Sequence, residues 1–410
     1  MEIGQALVQA VCAGMRGGQI TWAEETLSRQ DWEELCLLAR QQQVLPVLVH
    51  SCYASPAFLS QDEAFRREVL GSNRMQVARQ TMRSASLGAL WAQLCQAGFT
   101  PVIMKGAACR AVWPLGSVRL SSDEDVLVPH DQFSACVDFL RGQGFACGDV
   151  AEDAFEMGLR RSDGLYLELH RSPFAPDDPV LGGCNAWFED IYQRCITVET
   201  DGAALQVMGP DDHMLLLILH AFKHLLHSGF GLRQVCDLVL WAESYGADID
   251  WETIVQRCRT VRAVGFARAV FGIGAKYLGM DTQKACLPEE LLGRDQEMTD
   301  ALLDDLLSGG VFGTASRSRH HSATVTHNAV AADRAGEKSS LLQSLFPPCR
   351  QLEGQYPYLK KAPWLVPAAW ATRLVRYGGE VLRREDSDAA ETLRIGRERT
   401  ELLRKLDIMD

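Results

Sequence analysis

The chain has 410 residues, which is long enough for two or three domains with their own apolar cores. Hydrophobic residues make up 47% and charged residues 23% of it, which excludes a disordered or collagen-like chain. The net charge is −12, so the field of the whole chain repels phosphate backbones and argues against a protein that coats DNA or RNA.

The cysteines indicate a reducing compartment. The chain has 13 of them, they occur singly, and no Cys-x-x-Cys pair is present. This usage is typical of reduced thiols and predicts a cytoplasmic protein. The N-terminal residues show no signal-peptide pattern, and the most apolar stretch, 214–226, is too short to span a membrane and contains Lys223. No membrane partner is therefore expected.

Helical periodicity runs through residues 1–98 and predicts an N-terminal helical region. Asp31 is expected to cap one of these helices. A longer helix is expected over 61–97, with an apolar stripe in which Met75 and Met82 fill the core.

The pattern changes at Gly98, where short apolar runs replace the helical period. The predicted strands are 100–104, 120–129, 155–160 and 165–170, the predicted helices are 107–113 and 130–142, and a further hairpin is expected around Asp201-Gly202. Strands that alternate with helices and are followed by hairpins predict an α+β core over 99–210.

Helical periodicity returns over 211–308 and predicts a second helical domain, in which Arg233 and Asp237 are expected to form an ion pair. Residues 309–340 are rich in Ser, Thr, His and Ala without an apolar period, which predicts a mobile loop. A C-terminal helical region over 341–410 completes the predicted organisation, and its last helix mixes charges as surface helices do.

Two aspartates, Asp123 and Asp125, are the most informative feature of the chain. On a strand, residues two apart project from one face, so their like charges repel each other and destabilise the strand. A divalent cation removes that repulsion, and Mg²⁺ (or Mn²⁺) is bound by one or two carboxylates plus substrate phosphates. The simpler interpretation is a turn that Ser121 and Ser122 cap.

Glu168 is the candidate third carboxylate. In 165–170 the leucines occupy one strand face, while Tyr166, Glu168 and His170 occupy the other. Three carboxylates on neighbouring strands would hold two metal ions, which stabilise the attacking and leaving oxygens of a displacement at phosphorus. Alone, Glu168 would be an exposed edge residue, so the prediction requires that its strand neighbours the Asp123 strand.

Candidate phosphate-binding residues surround the two aspartates. Lys105-Gly106 lies at a predicted strand-to-helix turn, where glycine lets backbone N–H groups approach a phosphate. Arg119, Ser121 and Ser122 precede the acidic pair and are expected to neutralise and hydrogen-bond triphosphate oxygens.

Three histidines, His220, His224 and His227, fall on one helical face. The spacing suits a metal site, an interdomain polar contact or the wall of an acceptor pocket. We take His224, together with His170, as the candidate acceptor-pocket residues.

These features together resemble a known family. The cluster Arg119 to Val128, with Lys105-Gly106 and Glu168, resembles the nucleotidyltransferase superfold typified by DNA polymerase beta. More closely, it resembles the bacterial uncharacterised nucleotidyltransferase family, sometimes called nucleotidyltransferase family 5. The matching segments are 31–48, 98–108, 119–128, 168–170, 224–241, 346–348 and 363–367. The resemblance implies a small mixed-sheet core flanked by N- and C-terminal helical regions.

The resemblance also implies an activity. Asp123, Asp125 and Glu168 would hold Mg²⁺, Gly106 would lie in the nucleotide turn, and Glu168 would bind the catalytic metal or act as general base. The reaction would move a nucleoside monophosphate from an NTP, with ATP favoured, to a hydroxyl or amine of a small molecule or peptide, releasing pyrophosphate. Nucleic acid is not the expected acceptor.

Two residues depart from the pattern of the superfold. Ala107 stands where a serine is usual, and Glu124 stands between the two aspartates where an apolar residue is usual. These departures keep a second function open, in which the domain is a non-catalytic scaffold that binds a nucleotide or a partner protein.

Overall fold

The computed structural model describes residues 1–148, 154–227, 230–293, 295–309, 352, 356–360, 362–370, 372 and 398–409. The predicted mobile loop and most of the predicted C-terminal region lie outside these residues, so those two predictions are not tested. Among the described helices, none combines the length and the apolar character that a membrane crossing needs.

Helices and strands follow one another much as the sequence predicts. Within the described residues, the α-helices are α1 (Ile3–Gly14), α2 (Arg29–Gln41), α3 (Leu45–Cys52), α4 (Pro56–Leu59), α5 (Glu63–Gln96), α6 (Ala107–Arg110), α7 (Phe133–Gly142), α8 (Pro210–His227), α9 (Leu232–Tyr245), α10 (Trp251–Thr260), α11 (Val264–Tyr277) and α12 (Gln296–Gly309). The strands are β1 (Val102–Ile103), β2 (Glu124–Leu127), β3 (Glu156–Arg160), β4 (Tyr166–His170), β5 (Ile196–Thr200) and β6 (Ala203–Val207). The α+β class is confirmed, and so is the hairpin at Asp201-Gly202.

The strands form one mixed sheet in the order β3-β4-β2-β1-β6-β5. β2 runs parallel to β4, and β1 runs parallel to β6, while the other neighbours are antiparallel. β2 is buried along its whole length and lies between β4 and β1. One apolar cluster then joins this sheet to the helices before and after it.

α2 begins earlier than the sequence suggests. It starts at Arg29, and its N-cap is Ser28, so the prediction that Asp31 caps this helix was wrong. The Ser28 hydroxyl accepts from the Asp31 backbone N–H at 3.2 Å, and the Asp31 carboxylate accepts from the Ser28 N–H at 2.8 Å. Asp31 therefore completes a reciprocal capping box as the third helical residue.

The middle of α5 packs against polar groups of the protein rather than against the apolar core. Met82 is 64% exposed and Met75 is also exposed, so the prediction that these methionines fill the core was wrong. The buried side chains there are Gln80 and Ser84. The Gln80 side-chain oxygen accepts from the Ser121 backbone N–H at 2.7 Å, which explains why this turn of the helix buries an amide.

Substitution of Met82 by lysine is expected to change the free energy of unfolding by no more than about 0.5 kcal/mol, because the side chain is in solvent. Leu90→Ala is the matched comparison on the same helix. Its side chain is 1% exposed, so its truncation should cost about 2–5 kcal/mol. Urea unfolding of both variants tests the assignment, and equal losses would show that Met82 is packed after all.

Candidate active site

Asp125 and Glu168 come together because their strands are parallel neighbours. Asp125 of β2 is directly paired with Glu168 of β4, so the two side chains share one face of the sheet. His170 Nε2 lies 3.2 Å from Asp125 Oδ1 and 4.0 Å from Glu168 Oε2. One ligand atom from each of these three residues lies within 4.8 Å of the other two. His170, which the sequence suggested for an acceptor pocket, thus lies among the carboxylates.

Asp123 lies just before β2, and it is half-buried. It is not part of the compact group of Asp125, Glu168 and His170. Its charge still acts on that group. The pKa of Glu168 is raised most by burial, next by Asp125 and then by Asp123. The three predicted carboxylates are therefore neighbours, with Asp125 and Glu168 as the closer pair.

Lys105 links the carboxylate centre, which is the group of Asp125, Glu168 and His170, to helix α8. Its Nζ lies 3.0 Å from Asp125 Oδ1 and 2.7 Å from His220 Nε2. Burial alone would raise the pKa of Asp125, but Lys105 and the hydrogen bond from His170 outweigh burial and hold that pKa below its usual range. Asp125 is therefore an ionised carboxylate throughout the neutral pH range.

The turn at Gly106 holds a carboxylate of the chain itself. Gly106 has a φ of +54°, and a Cβ at this position would collide with Glu124 Oε2. The Ala107 N–H donates to Glu124 Oε2 at 2.9 Å, and Arg110 Nη1 lies 2.8 Å from Glu124 Oε1. Neighbouring residues of a strand project to opposite faces, so Glu124 caps α6 on the side away from Asp125. Its buried partners account for a charged residue at a position that is usually apolar.

Arg119 lies in a buried ion pair. Its Nε and Nη2 donate to the two carboxylate oxygens of Asp237 at 3.1 and 2.6 Å. Its Nη1 donates to the Ser121 hydroxyl at 2.5 Å, and that hydroxyl also accepts from Arg110 Nη1. Arg119 and Ser121 are thus engaged inside the protein, and their role in nucleotide binding stays a prediction.

The ion pair expected between Arg233 and Asp237 is not formed. The Asp237 carboxylate accepts hydrogen bonds from the Arg119 guanidinium and from the Trp113 Nε1–H. Arg233 instead donates to the Leu120 carbonyl oxygen. A bidentate guanidinium–carboxylate contact is the stronger arrangement, which explains why Arg119 is preferred over a partner one helical turn away.

His220 and His224 form a half-buried pair on α8, and their Nε2 atoms are 3.2 Å apart. Burial and the positive charge of Lys105 lower the pKa of both rings, that of His224 to about 3, so both are neutral at pH 7. His227 lies instead 3.9 Å from an Asp178 oxygen. The link from His220 to Lys105 was missed in the sequence, where only the four-residue spacing of the histidines hinted at a shared contact.

Comparison with known proteins places these features in a family. A family model described as an uncharacterised nucleotidyltransferase matches residues 28–279, which is more than half of the chain. The chain is also similar to the crystal structure of an antigenic nucleotidyltransferase-like protein from Paracoccidioides brasiliensis. The identity is 15%, the match covers 39% of this chain and 75% of that chain, and the TM-score is 0.29. No curated protein matches the chain significantly.

Proposed function

The chain belongs to the family of uncharacterised nucleotidyltransferases, and on that premise we propose that it transfers a nucleoside monophosphate from an NTP to a hydroxyl or amine acceptor. ATP is the favoured NTP, pyrophosphate is the second product, and the acceptor is a small molecule or peptide. The observation that carries the proposal is the direct pairing of Asp125 with Glu168 on neighbouring strands, with Asp123 close by. Lys105 pairs with Asp125, and the remaining carboxylates of the cluster are costly unless a further cation balances their charge.

The donors at this centre fit a divalent cation. The carboxylates of Asp125 and Glu168, and that of Asp123 just before β2, offer the oxygen ligands that Mg²⁺ and Mn²⁺ take in proteins. The His170 ring nitrogen suits Mn²⁺ better than Mg²⁺. When bound, the cation would supply positive charge to the phosphate oxygens of the substrate.

Glu168 is suited to take the proton of the acceptor. Without a bound cation its pKa is raised by burial and by the neighbouring aspartates, so in that state it is a stronger base than an ordinary carboxylate. The Tyr166 hydroxyl donates to Glu168 Oε1 at 3.3 Å and orients the carboxyl group. The acceptor atom forms its bond to the α-phosphorus as the bond to the bridging oxygen breaks, and pyrophosphate leaves with that oxygen.

One observation favours the scaffold as a second candidate function. The Glu124 carboxylate occupies the Gly106 turn, where the superfold is expected to hold a phosphate. A protein of this kind would bind a nucleotide or a partner without turnover.

In either case a cytoplasmic location is supported by the free thiols of the described cysteines, which form no disulfide.

A pyrophosphate-release assay separates the two functions. The protein is incubated with each NTP, Mg²⁺ or Mn²⁺, and small-molecule or peptide acceptors. Wild type is expected to release pyrophosphate, Asp123→Asn to release none, and Asp131→Asn, which changes an exposed aspartate, to match wild type. Nucleotide binding without release under every condition would contradict the enzyme and support the scaffold.

A further inference from the structure

The charges of three cationic side chains act on His224. They are Lys105 from the turn after β1, Lys223 from α8 and Arg233 from the first turn of α9. After burial, the charges of these three residues are what lowers the pKa of His224, and Asp125 acts in the opposite direction. The cations therefore act on one neutral imidazole, which is linked to Asp125 through His220 and Lys105.

Of these cations, only Lys105 is paired with a carboxylate in the described part of the chain. Arg233 donates through Nη1 to the Leu120 carbonyl, and its buried Nε has no hydrogen-bond partner among the described residues. Burial and the charge of Arg119 lower the pKa of Arg233 to about 10. A guanidinium held like this is costly unless an anion reaches it.

Lys223 lies next to His224 on α8 and is half-buried. Among the described residues it forms no ion pair, although its charge acts on both His220 and His224. Neither Lys223 nor Arg233 thus has a carboxylate at ion-pair distance among the described residues, and Asp237 and Asp123 act on Arg233 only at longer range. An anionic ligand would pair with both cations.

The other places expected to bind phosphate are already engaged. Glu124 fills the Gly106 turn, Asp237 binds Arg119, and the Ser121 hydroxyl accepts from two arginines. The cations without a carboxylate partner among the described residues, Lys223 and Arg233, are therefore on the helices that follow the sheet.

We propose that Lys105, Lys223 and Arg233 bind the triphosphate of the nucleotide and hold the pyrophosphate as it leaves, an inference that rests on the proposed function. Negative charge grows on the leaving pyrophosphate when its bond to the α-phosphorus breaks. Fixed cations at that position stabilise the charge without having to reorganise. The neutral His220 and His224 keep Lys105 in place and add no competing charge.

Binding of inorganic tripolyphosphate to the full chain in the presence of Mg²⁺, measured by isothermal titration calorimetry, tests this inference. Lys223→Gln and Arg233→Gln are each expected to weaken binding by roughly tenfold or more, since each removes a charge-assisted contact. Lys284→Gln removes an exposed lysine and should bind as wild type does. Thermal unfolding of each variant verifies that it is folded, and Arg233→Met, which also removes the charge, replaces Arg233→Gln should the latter fail to fold.

The outcomes distinguish this inference from the activity on which it rests. Wild-type affinity in both Lys223→Gln and the Arg233 variant, or no binding by wild type, overturns the assignment of the three cations even when NTP turnover is observed. Loss of binding in both variants, together with no turnover of any NTP by wild type, supports the anion site and overturns the proposed reaction.

Discussion

Replacement of Glu168 by glutamine is expected to lower nucleotidyl transfer by about 10²–10⁴-fold, because it removes the proposed base or metal ligand. Glutamine keeps the shape of the side chain and still accepts the hydrogen bond from Tyr166. Steady-state pyrophosphate release measures the effect. Glu199→Gln, an exposed glutamate on β5, is the matched control and should retain wild-type activity.

The same variant has a second expected result. The raised pKa of Glu168 means that its ionised form is disfavoured in the folded state, so its charge destabilises the fold above the pKa of the unfolded chain. Without metal at pH 7, Glu168→Gln should therefore unfold at the same temperature as wild type or higher. Full activity of this variant, or a large loss of stability, would contradict the role assigned to Glu168.

Asp237→Leu is expected to have the largest effect on stability, with a loss of about 3–5 kcal/mol. The substitution leaves the Arg119 guanidinium buried without a counter-charge and removes the acceptor of the Trp113 Nε1–H. Urea unfolding measures the loss. Glu63→Gln, which breaks an exposed pair with Arg67, is the control and should cost no more than about 1 kcal/mol.

A double variant sharpens this test. Arg119→Met in the Asp237→Leu background removes the uncompensated charge, so it should recover part of the lost stability. A loss below about 1 kcal/mol in Asp237→Leu alone would show that the buried pair contributes little. Arg119 would then be free to bind phosphate, as its position before the aspartates first suggested.

The sequence predicted the carboxylate centre because the signals are local. Alternation within 165–170 placed Glu168 and His170 on one face, and the apolar run after Asp125 indicated a buried strand. That β2 pairs with β4, and in which register, is a property of the sheet that no local pattern encodes. The prediction therefore depended on a strand pairing that only the structure supplies.

The residues that were misread have partners far along the chain. Asp237 lies 118 residues from Arg119, whereas the helical spacing pointed to Arg233. Met82 follows an apolar stripe, but α5 packs at that level against polar groups beside Ser121. Periodicity identifies a face of a helix, and what covers that face is decided by tertiary packing.

A crystal structure with Mn²⁺ and a non-hydrolysable ATP analogue tests the central claim most directly. We expect an anomalous difference peak for Mn²⁺ between the Asp125 and Glu168 carboxylates, with the α-phosphate of the nucleotide beside it. A nucleotide bound elsewhere, or bound without Mn²⁺ at these carboxylates, would contradict the account.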